Sequence, residues 1–213
     1  MRAVVMRARG GPEVLEVADL PVPEPGPKEV RVRLKAAALN HLDVWVRKGV
    51  ASPKLPLPHV LGADGSGVVD AVGPGVEGFA PGDEVVINPG LSCGRCERCL
   101  AGEDNLCPRY QILGEHRHGT YAEYVVLPEA NLAPKPKSLS FEEAAAIPLT
   151  FLTAWQMVVD KLGVRPGDDV LVMAAGSGVS VAAIQIAKLF GARVIATAGS
   201  EDKLRRAKAL GAD

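Results

Sequence analysis

The chain has 213 residues, of which 47% are hydrophobic, and a formal net charge of −1 at pH 7. This length accommodates one large domain or two modest domains with packed cores. The near-neutral charge gives no electrostatic argument for a nucleic-acid or membrane-surface partner, and no apolar run approaches the roughly 18 residues of a membrane span. The first residues, MRAVVMRARG, contain no apolar signal-peptide core, which predicts a cytoplasmic protein.

Short valine-rich segments separated by turns rich in glycine and proline fill roughly the first 130 residues. The predicted strands are Glu29–Leu34, Gly67–Val72, Glu84–Ile87 and Ala122–Leu127. Many short strands at close spacing predict a barrel-like β unit. One predicted helix, from Asn40 to Lys48, interrupts it.

All the cysteines of the chain lie in one loop-like window of polar residues, with the pattern C-x2-C-x2-C-x7-C at Cys93, Cys96, Cys99 and Cys107. Four thiolates around a tetrahedral Zn²⁺ would hold a loop that has no core of its own, and they would leave no coordination position for a substrate. We therefore expect one structural zinc per chain. An iron–sulfur centre is one alternative, although the x7 gap departs from its usual ligand run. Disulfides or free thiols are the other, which a reducing cytoplasm disfavours.

The pattern changes near Ser138 to alternating helices and strands. Ser140 and Glu143 form a predicted capping box, and a parallel α/β unit follows. Its predicted elements are a helix over Thr150–Leu162, a strand over Asp169–Ala175, a helix over Val179–Phe190, a strand over Arg193–Ala198 and a helix over Ser200–Leu210. The fold class expected for the chain is thus α/β with a β-rich N-terminal part.

A turn of small residues joins the first strand of this unit to its helix. The dinucleotide-binding pattern G-x-G-x-x-G maps onto Ala175, Ser177 and Ser180, with glycines only between these positions. Small residues allow backbone N–H groups and the helix N-terminus to approach a pyrophosphate. The cofactor-binding residues predicted here are Ala175, Gly176, Ser177, Gly178 and Val179. A turn of small residues that serves packing alone is the alternative.

The end of the second strand bears on the choice of cofactor. An acidic residue there would bind the ribose 2′-hydroxyl of NAD, but Ala198-Gly199-Ser200 has none. Ser200 and Lys203 can accept a 2′-phosphate, so NADP(H) is the predicted cofactor. NAD(H) is the alternative, because Glu201 and Asp202 lie close by.

These motifs, in their order and spacing, resemble the N-terminal three-fifths of a medium-chain zinc-type alcohol dehydrogenase or quinone oxidoreductase. The matching stretches are ALNHLDVWVRKG, LGADGSGVVDAVGPGV, FAPGDEVV, the cysteine lobe, GTYAEYVVLP, IPLTFLTAW and the nucleotide turn. The resemblance implies a GroES-like catalytic domain over residues 1–148, with a zinc lobe at 88–110, and the start of a Rossmann domain over 149–213. It adds Thr153 to the cofactor-binding set. It also implies a small-molecule substrate, a homodimer or homotetramer, and a longer complete chain.

The departures from the family pattern bear on the chemistry. The positions that match the catalytic zinc ligands of alcohol dehydrogenases are Asn40, Ala63 and Leu149, which are poor ligands or none. The chain instead resembles the zinc-free quinone reductase branch, which reduces quinones, enals or enones with NADPH. The predicted catalytic residues are Asn40 as hydrogen-bond donor, and His41 and Asp43 to orient groups or relay a proton. Helix capping or a structural hydrogen bond is an equal alternative for Asp43.

Two other functions stay open at this point. One is an alcohol dehydrogenase with an unusual metal site drawn from His41, Asp43, His59 and Asp64. The other is a non-catalytic protein that binds NADPH. For His59, a hydrogen bond to a backbone carbonyl is the competing interpretation, and His116 and His118 are expected to be exposed.

Overall fold

The chain divides into two units, Met1–Pro148 and Leu149–Asp213, in a computed structural model that describes residues 1–213. None of the helices combines the length and the apolar character that crossing a membrane requires. The division falls where the sequence changes from short strands to alternating helices and strands.

The N-terminal unit consists of short antiparallel strands and three short α-helices. Its strands are β1 (Arg2–Met6), β2 (Leu15–Asp19), β3 (Glu29–Ala38), β4 (His59–Val60), β5 (Asp64–Val72), β6 (Glu84–Ile87), β7 (Gly90–Leu91), β8 (Gln111–Ile112), β9 (Tyr124–Pro128) and β10 (Leu132–Pro134). Its helices are α1 (His41–Lys48), α2 (Glu97–Leu100) and α3 (Phe141–Ala145). The main sheet has the strand order β10-β6-β5-β3-β9, a second sheet has the order β2-β1-β4, and β7 pairs with β8.

The main sheet follows from alternation of apolar and polar residues. On β3, Val30 and Val32 are fully buried, whereas Arg31 and Arg33 point to the other face. On β6, Val85 and Ile87 are also fully buried. These side chains form one hydrophobic cluster with residues of β5 and β9.

The structure extends two predicted strands. Alternation ends at Leu34, but β3 continues to Ala38, and β5 begins at Asp64 rather than at Gly67. Backbone pairing between the two strands sustains this extension, down to the pair Ala38 and Asp64. The extension brings the residues just before α1 beside the start of β5.

The C-terminal unit contains a two-stranded parallel sheet and three α-helices. Its elements are α4 (Pro148–Trp155), β11 (Asp169–Val172), α5 (Gly178–Leu189), β12 (Arg193–Ala196) and α6 (Glu201–Ala209). Instead of the single predicted helix over Thr150–Leu162, α4 passes into a π-helical segment, Gln156–Lys161. The first strand ends at Val172 rather than at Ala175, because Ala174 has a left-handed φ of 52°.

Candidate functional site

The four cysteines converge in the loop between β7 and β8. The Sγ separations are 3.8 Å for Cys93–Cys99, 3.4 Å for Cys96–Cys99 and 3.8 Å for Cys96–Cys107, and all four atoms lie within 4.8 Å of one another. A tetrahedral zinc with Zn–S bonds of about 2.3 Å separates its sulfurs by about 3.8 Å. The side chains therefore fit a zinc ion, which would cross-link the loop and expose no open position.

Backbone N–H groups donate to two of the four sulfurs. The N–H of Arg109 donates to Cys107 Sγ at 3.3 Å, and the N–H of Arg95 is the main cause that lowers the pKa of Cys93 to about 5. Little else holds the lobe, since α2 has no buried residue and Leu100 and Leu106 are exposed. Of the residues 1–213, these four are the one group of three or more His, Cys, Asp or Glu side chains arranged as a metal requires.

A second polar site lies where α1 begins. Asn40 is the N-cap residue of α1, and its backbone N–H donates to Asp43 Oδ2 at 2.7 Å. The Asp43 carboxylate accepts two further hydrogen bonds, from the Tyr121 hydroxyl at 2.7 Å and from the Gly62 N–H at 3.1 Å. Asp43 is only 6% exposed. Both its oxygens are thus occupied, which supports the structural alternative for this residue over proton relay.

The Asp43 carboxylate affects the pKa of Tyr121 but does not contact His41. Burial, followed by the hydrogen bond to Asp43, raises the pKa of Tyr121 well above its usual value, so the hydroxyl stays a donor. His41, in contrast, is exposed, and its ring stacks edge-on against Trp45 with centroids 4.9 Å apart. The structure therefore does not bring His41 into the hydrogen-bond network of Asp43.

The side chain of Asn40 contacts a different carboxylate. Its Nδ2 donates to Asp64 Oδ2 at 2.9 Å, and Asp64 is 1% exposed. The Thr120 hydroxyl donates to the backbone oxygen of Asp64 at 2.8 Å. The preceding residue, Ala63, is fully buried and carries no ligand atom. Asn40 and Asp64 are thus paired by a direct hydrogen bond.

His59 does not join this network. Its Nε2 lies 3.0 Å from the carbonyl oxygen of Gly114, and the ring is 3% exposed. Burial lowers the pKa of His59 to about 4, which keeps the ring neutral. The interpretation of His59 as the partner of a backbone carbonyl is confirmed. His116 and His118 are exposed, as predicted.

The nucleotide turn connects β11 to α5. Ser177 is the N-cap residue of α5, and its Oγ accepts from the Ser180 N–H at 3.3 Å. Ser180, at the third glycine position of the motif, donates its hydroxyl to the Met173 carbonyl at 2.9 Å. Ala175 is buried, and its N–H donates to Thr197 O at 2.9 Å. The hydroxyl of Ser180 thereby ties the helix to the strand where the motif usually has glycine.

The predicted phosphate-binding residues meet beside this turn. A Cβ on Gly176 would lie 2.9 Å from Lys203 Cδ, so the lysine chain runs directly over the glycine. Ser200 is the N-cap residue of α6 and accepts from the Lys203 N–H at 3.5 Å. Thr153 donates its hydroxyl to Leu149 O at 2.7 Å within α4. The turn, with the Lys203 side chain over Gly176 and the N-terminus of α5 beside it, fits a dinucleotide phosphate group.

Comparisons with known protein families find a match in each of the two units. Residues 26–137 match the alcohol dehydrogenase GroES-like domain, and residues 178–213 match the zinc-binding dehydrogenase family. The chain belongs to the medium-chain dehydrogenase/reductase family. Fold class and resemblance are therefore confirmed: residues 26–137 are GroES-like, and the whole is α/β with a β-rich N-terminal part.

Relatives of both named activities occur within this family. A zinc-type alcohol dehydrogenase-like protein of Schizosaccharomyces pombe is 40% identical over 100% of this chain and 60% of its own length. Human quinone oxidoreductase is 32% identical over 95% of this chain and 54% of its own. A cobalt- and zinc-bound thermostable alcohol dehydrogenase from Pyrobaculum aerophilum superposes with a TM-score of 0.91, at 38% identity, over 100% of this chain and 64% of its own. The chain spans about three-fifths of the length of the relatives it matches.

Two residues of the Asn40 site were not predicted as site residues from the sequence. Tyr121 and Thr120 lie in the motif GTYAEYVVLP, which identifies the family without revealing the contacts of its members. The signal that the sequence offered was Gly62 itself, two residues before Asp64, because a glycine can mark a close approach to the backbone. In the structure Gly62 has a φ of 101°, and a Cβ there would lie 2.6 Å from the Tyr121 ring.

Proposed function

We propose that the complete protein is an NADPH-dependent reductase of quinones, enals or enones that works without a catalytic zinc. The observation that supports this most is the pair of Asn40 and Asp64. Asn40 occupies the position of a zinc ligand of the alcohol dehydrogenases, and its amide is hydrogen-bonded to a buried carboxylate at 2.9 Å. Its neighbour in the ligand pattern, Ala63, has no donor atom.

The chemistry needs a donor for a developing negative charge. NADPH, when bound, supplies a hydride to an electron-poor carbon, and the π electrons of the conjugated system move to the substrate oxygen. An asparagine amide has two N–H groups, and Asp64 accepts one of them. The second can donate to the substrate oxygen, because a conjugated oxyanion requires a hydrogen bond rather than necessarily a metal. A proton from solvent completes the reduction.

Replacement of Asn40 by alanine tests this role. Loss of one oxyanion donor typically lowers the rate by about 10²–10³. We expect Asn40→Ala to lower kcat for a quinone or enone by about that factor, with the NADPH dissociation constant nearly unchanged. The measurement is steady-state kinetics with direct cofactor titration on the complete chain. An unchanged kcat would exclude the proposed role of Asn40.

The alcohol dehydrogenase alternative keeps its support from the relatives with that name. Metal analysis distinguishes the two functions. We expect one zinc per complete chain, bound in the cysteine lobe, and no inhibition by a chelator that spares it. Two metals per chain, with activity lost to the chelator and restored by Zn²⁺, would favour the alcohol dehydrogenase. Tight NADPH binding with no turnover of any quinone, enal or alcohol would favour the non-catalytic alternative.

For the cofactor, we propose a preference for NADP(H) over NAD(H). Lys203 runs over Gly176 in the turn, and Ala198 offers no carboxylate to the ribose. Ala198→Asp should shift the ratio of kcat/KM values toward NADH, because a carboxylate repels the 2′-phosphate and binds the 2′-hydroxyl. Ala198→Asn, which has the same shape without the charge, is the matched control. Equal use of both cofactors by the natural protein would contradict the preference.

We also propose a cytoplasmic homodimer or homotetramer that acts on a small molecule. Family membership supports this proposal, and light scattering of the complete protein measures the assembly. A monomer at micromolar concentration would contradict it.

A further inference from the structure

Two buried carboxylates contact Asn40 at two different groups. Asp43 accepts the backbone N–H at 2.7 Å, and Asp64 accepts the side-chain Nδ2 at 2.9 Å. We propose that Asp64 is a positioning residue, which fixes the direction of the Asn40 amide so that an N–H, and not the carbonyl oxygen, faces the substrate. This inference rests on the proposed function and assigns to Asp64 a role without any metal.

The Asp64 carboxylate favours one of the two possible orientations of the Asn40 amide. The oxygen and nitrogen ends of an amide have nearly the same shape, so packing alone does not select between them. An ionised carboxylate only accepts hydrogen bonds. If the Asn40 amide turned by 180°, its Oδ1 would face Asp64 Oδ2, and two acceptors would meet where Asp64 is only 1% exposed. Little water reaches a residue that is 1% exposed, so the reversed amide is disfavoured.

The position of Asp64 is itself fixed by the sheet. Asp64 is the first residue of β5 and pairs with Ala38 at the end of β3, two residues before Asn40. The Thr120 hydroxyl holds the backbone oxygen of Asp64 at 2.8 Å. At the next residue, a Cβ on Gly65 would lie 3.0 Å from side-chain atoms of Leu34 and Thr120. These contacts fix the backbone of Asp64, and its side chain, on a residue that is 1% exposed, has little room to follow a reoriented amide.

A purely stabilising role makes different predictions from a positioning role. If the pair of Asp64 and Asn40 only stabilises the fold, its loss lowers the unfolding free energy and leaves kcat of the folded enzyme unchanged. If Asp64 orients the amide, its loss lowers kcat while NADPH affinity stays the same. The second pattern follows because the amide acts on charge that develops during the reaction.

Asp64→Asn tests the inference in the complete enzyme. The new amide has the size of the carboxylate, but it can either donate or accept a hydrogen bond. Asn40 therefore no longer faces a partner that only accepts. It also loses a charge-assisted hydrogen bond, which is about twice as strong as a neutral one. We expect kcat for quinone or enone reduction to fall about tenfold, with the NADPH dissociation constant unchanged. The matched control is Asp70→Asn on the same strand, whose partner is Arg31 Nε at 2.7 Å. A kcat of Asp64→Asn equal to that of Asp70→Asn would overturn the inference.

A spectroscopic measurement on the natural protein covers the case in which Asp64→Asn does not fold. With ¹⁵N-labelled asparagine and Asn40→Ala for assignment, we expect one Nδ2 proton of Asn40 to exchange with solvent about tenfold or more slowly than the other. Equal exchange of both protons would overturn the inference.

The kinetics of Asn40→Ala distinguish a failure of the Asp64 inference from a failure of the proposed function. If Asn40→Ala loses about 10²–10³ in rate while Asp64→Asn loses none, the inference fails and the proposed function stands. If Asn40→Ala retains full activity, the proposed function itself is wrong.

Discussion

The cysteine lobe and the Asn40 site belong to the same unit but hold their polar side chains by opposite means. The lobe has four thiols in an exposed loop, and α2 contributes no buried residue. The Asn40 site has two buried carboxylates, and Leu61, Val46 and Met6 pack nearby as a hydrophobic cluster. Where the core is absent, a metal can supply the cross-link. Where the core is present, hydrogen bonds to fixed backbone suffice, and no metal is needed for order.

The largest effect is expected in the lobe. Zinc binding in small four-ligand sites contributes on the order of 10 kcal/mol to local folding. Cys99→Ser should therefore abolish zinc binding and disorder residues 92–108, while hydrogen exchange at α1 and β5 stays as in the natural protein. Glu97→Gln, an exposed change on α2, is the control and should retain the metal. If the amides of residues 92–108 stay protected from hydrogen exchange after complete zinc removal, the metal is not what orders the lobe.

The His59 contact predicts an intermediate effect of pH on stability. The folded pKa of about 4 lies below the ordinary value of 6.5 because the ring is buried. The unfolded chain therefore binds the proton first, so the stabilisation is complete above pH 6.5 and is lost as the pH falls toward 4. The loss from this residue should reach about 3 kcal/mol.

Denaturant unfolding between pH 7 and pH 4 measures this loss. His59→Gln, which can still donate to the Gly114 carbonyl but does not titrate, should show a flatter dependence on pH. If both proteins lose stability with the same slope, then His59 is not the buried neutral group described above.

The smallest effect is expected at the hydroxyl of Tyr121. Tyr121→Phe removes one of the three donors to Asp43 and keeps the ring in place. We expect the unfolding free energy to fall by about 1.5–2 kcal/mol, the low end of the range for a hydrogen bond to a charged group. Tyr124→Phe is the control, since its ring lies against Arg31 at 5.8 Å and its hydroxyl is not part of the network. An equal loss in both variants would show that Asp43 does not depend on Tyr121.

The features that the sequence predicted are those encoded in contiguous residues. The cysteine spacing predicted the lobe, because its ligands lie in a single loop. A short valine-rich segment bounded by turns predicted β6 at its observed bounds, Glu84–Ile87. The small residues of the turn predicted the start of α5 to within one residue. Each of these signals depends on local backbone geometry that neighbouring residues determine.

The contacts of the Asn40 site could not be predicted in the same way. Asp43 and Tyr121 are 78 residues apart, and Asn40 and Asp64 are 24 apart, so only the tertiary fold brings them together. The extension of β3 to Ala38 depends on pairing with β5 rather than on its own pattern. The π-helical segment after Trp155 likewise has no periodic signature that distinguishes it from an α-helix.

The contact of Gly114 and Gly119 with the backbone of Gly62 limits how this protein can vary. A Cβ on Gly119 would lie 2.0 Å from the Gly62 carbonyl oxygen, and one on Gly114 would lie 2.4 Å from the same atom. In a library of single substitutions, both positions should therefore accept no other residue, whereas the exposed lobe positions Glu97 and Arg98 should accept many. The backbone of Gly62, whose N–H donates to Asp43, is thus held in place by two neighbours that have no room for a side chain.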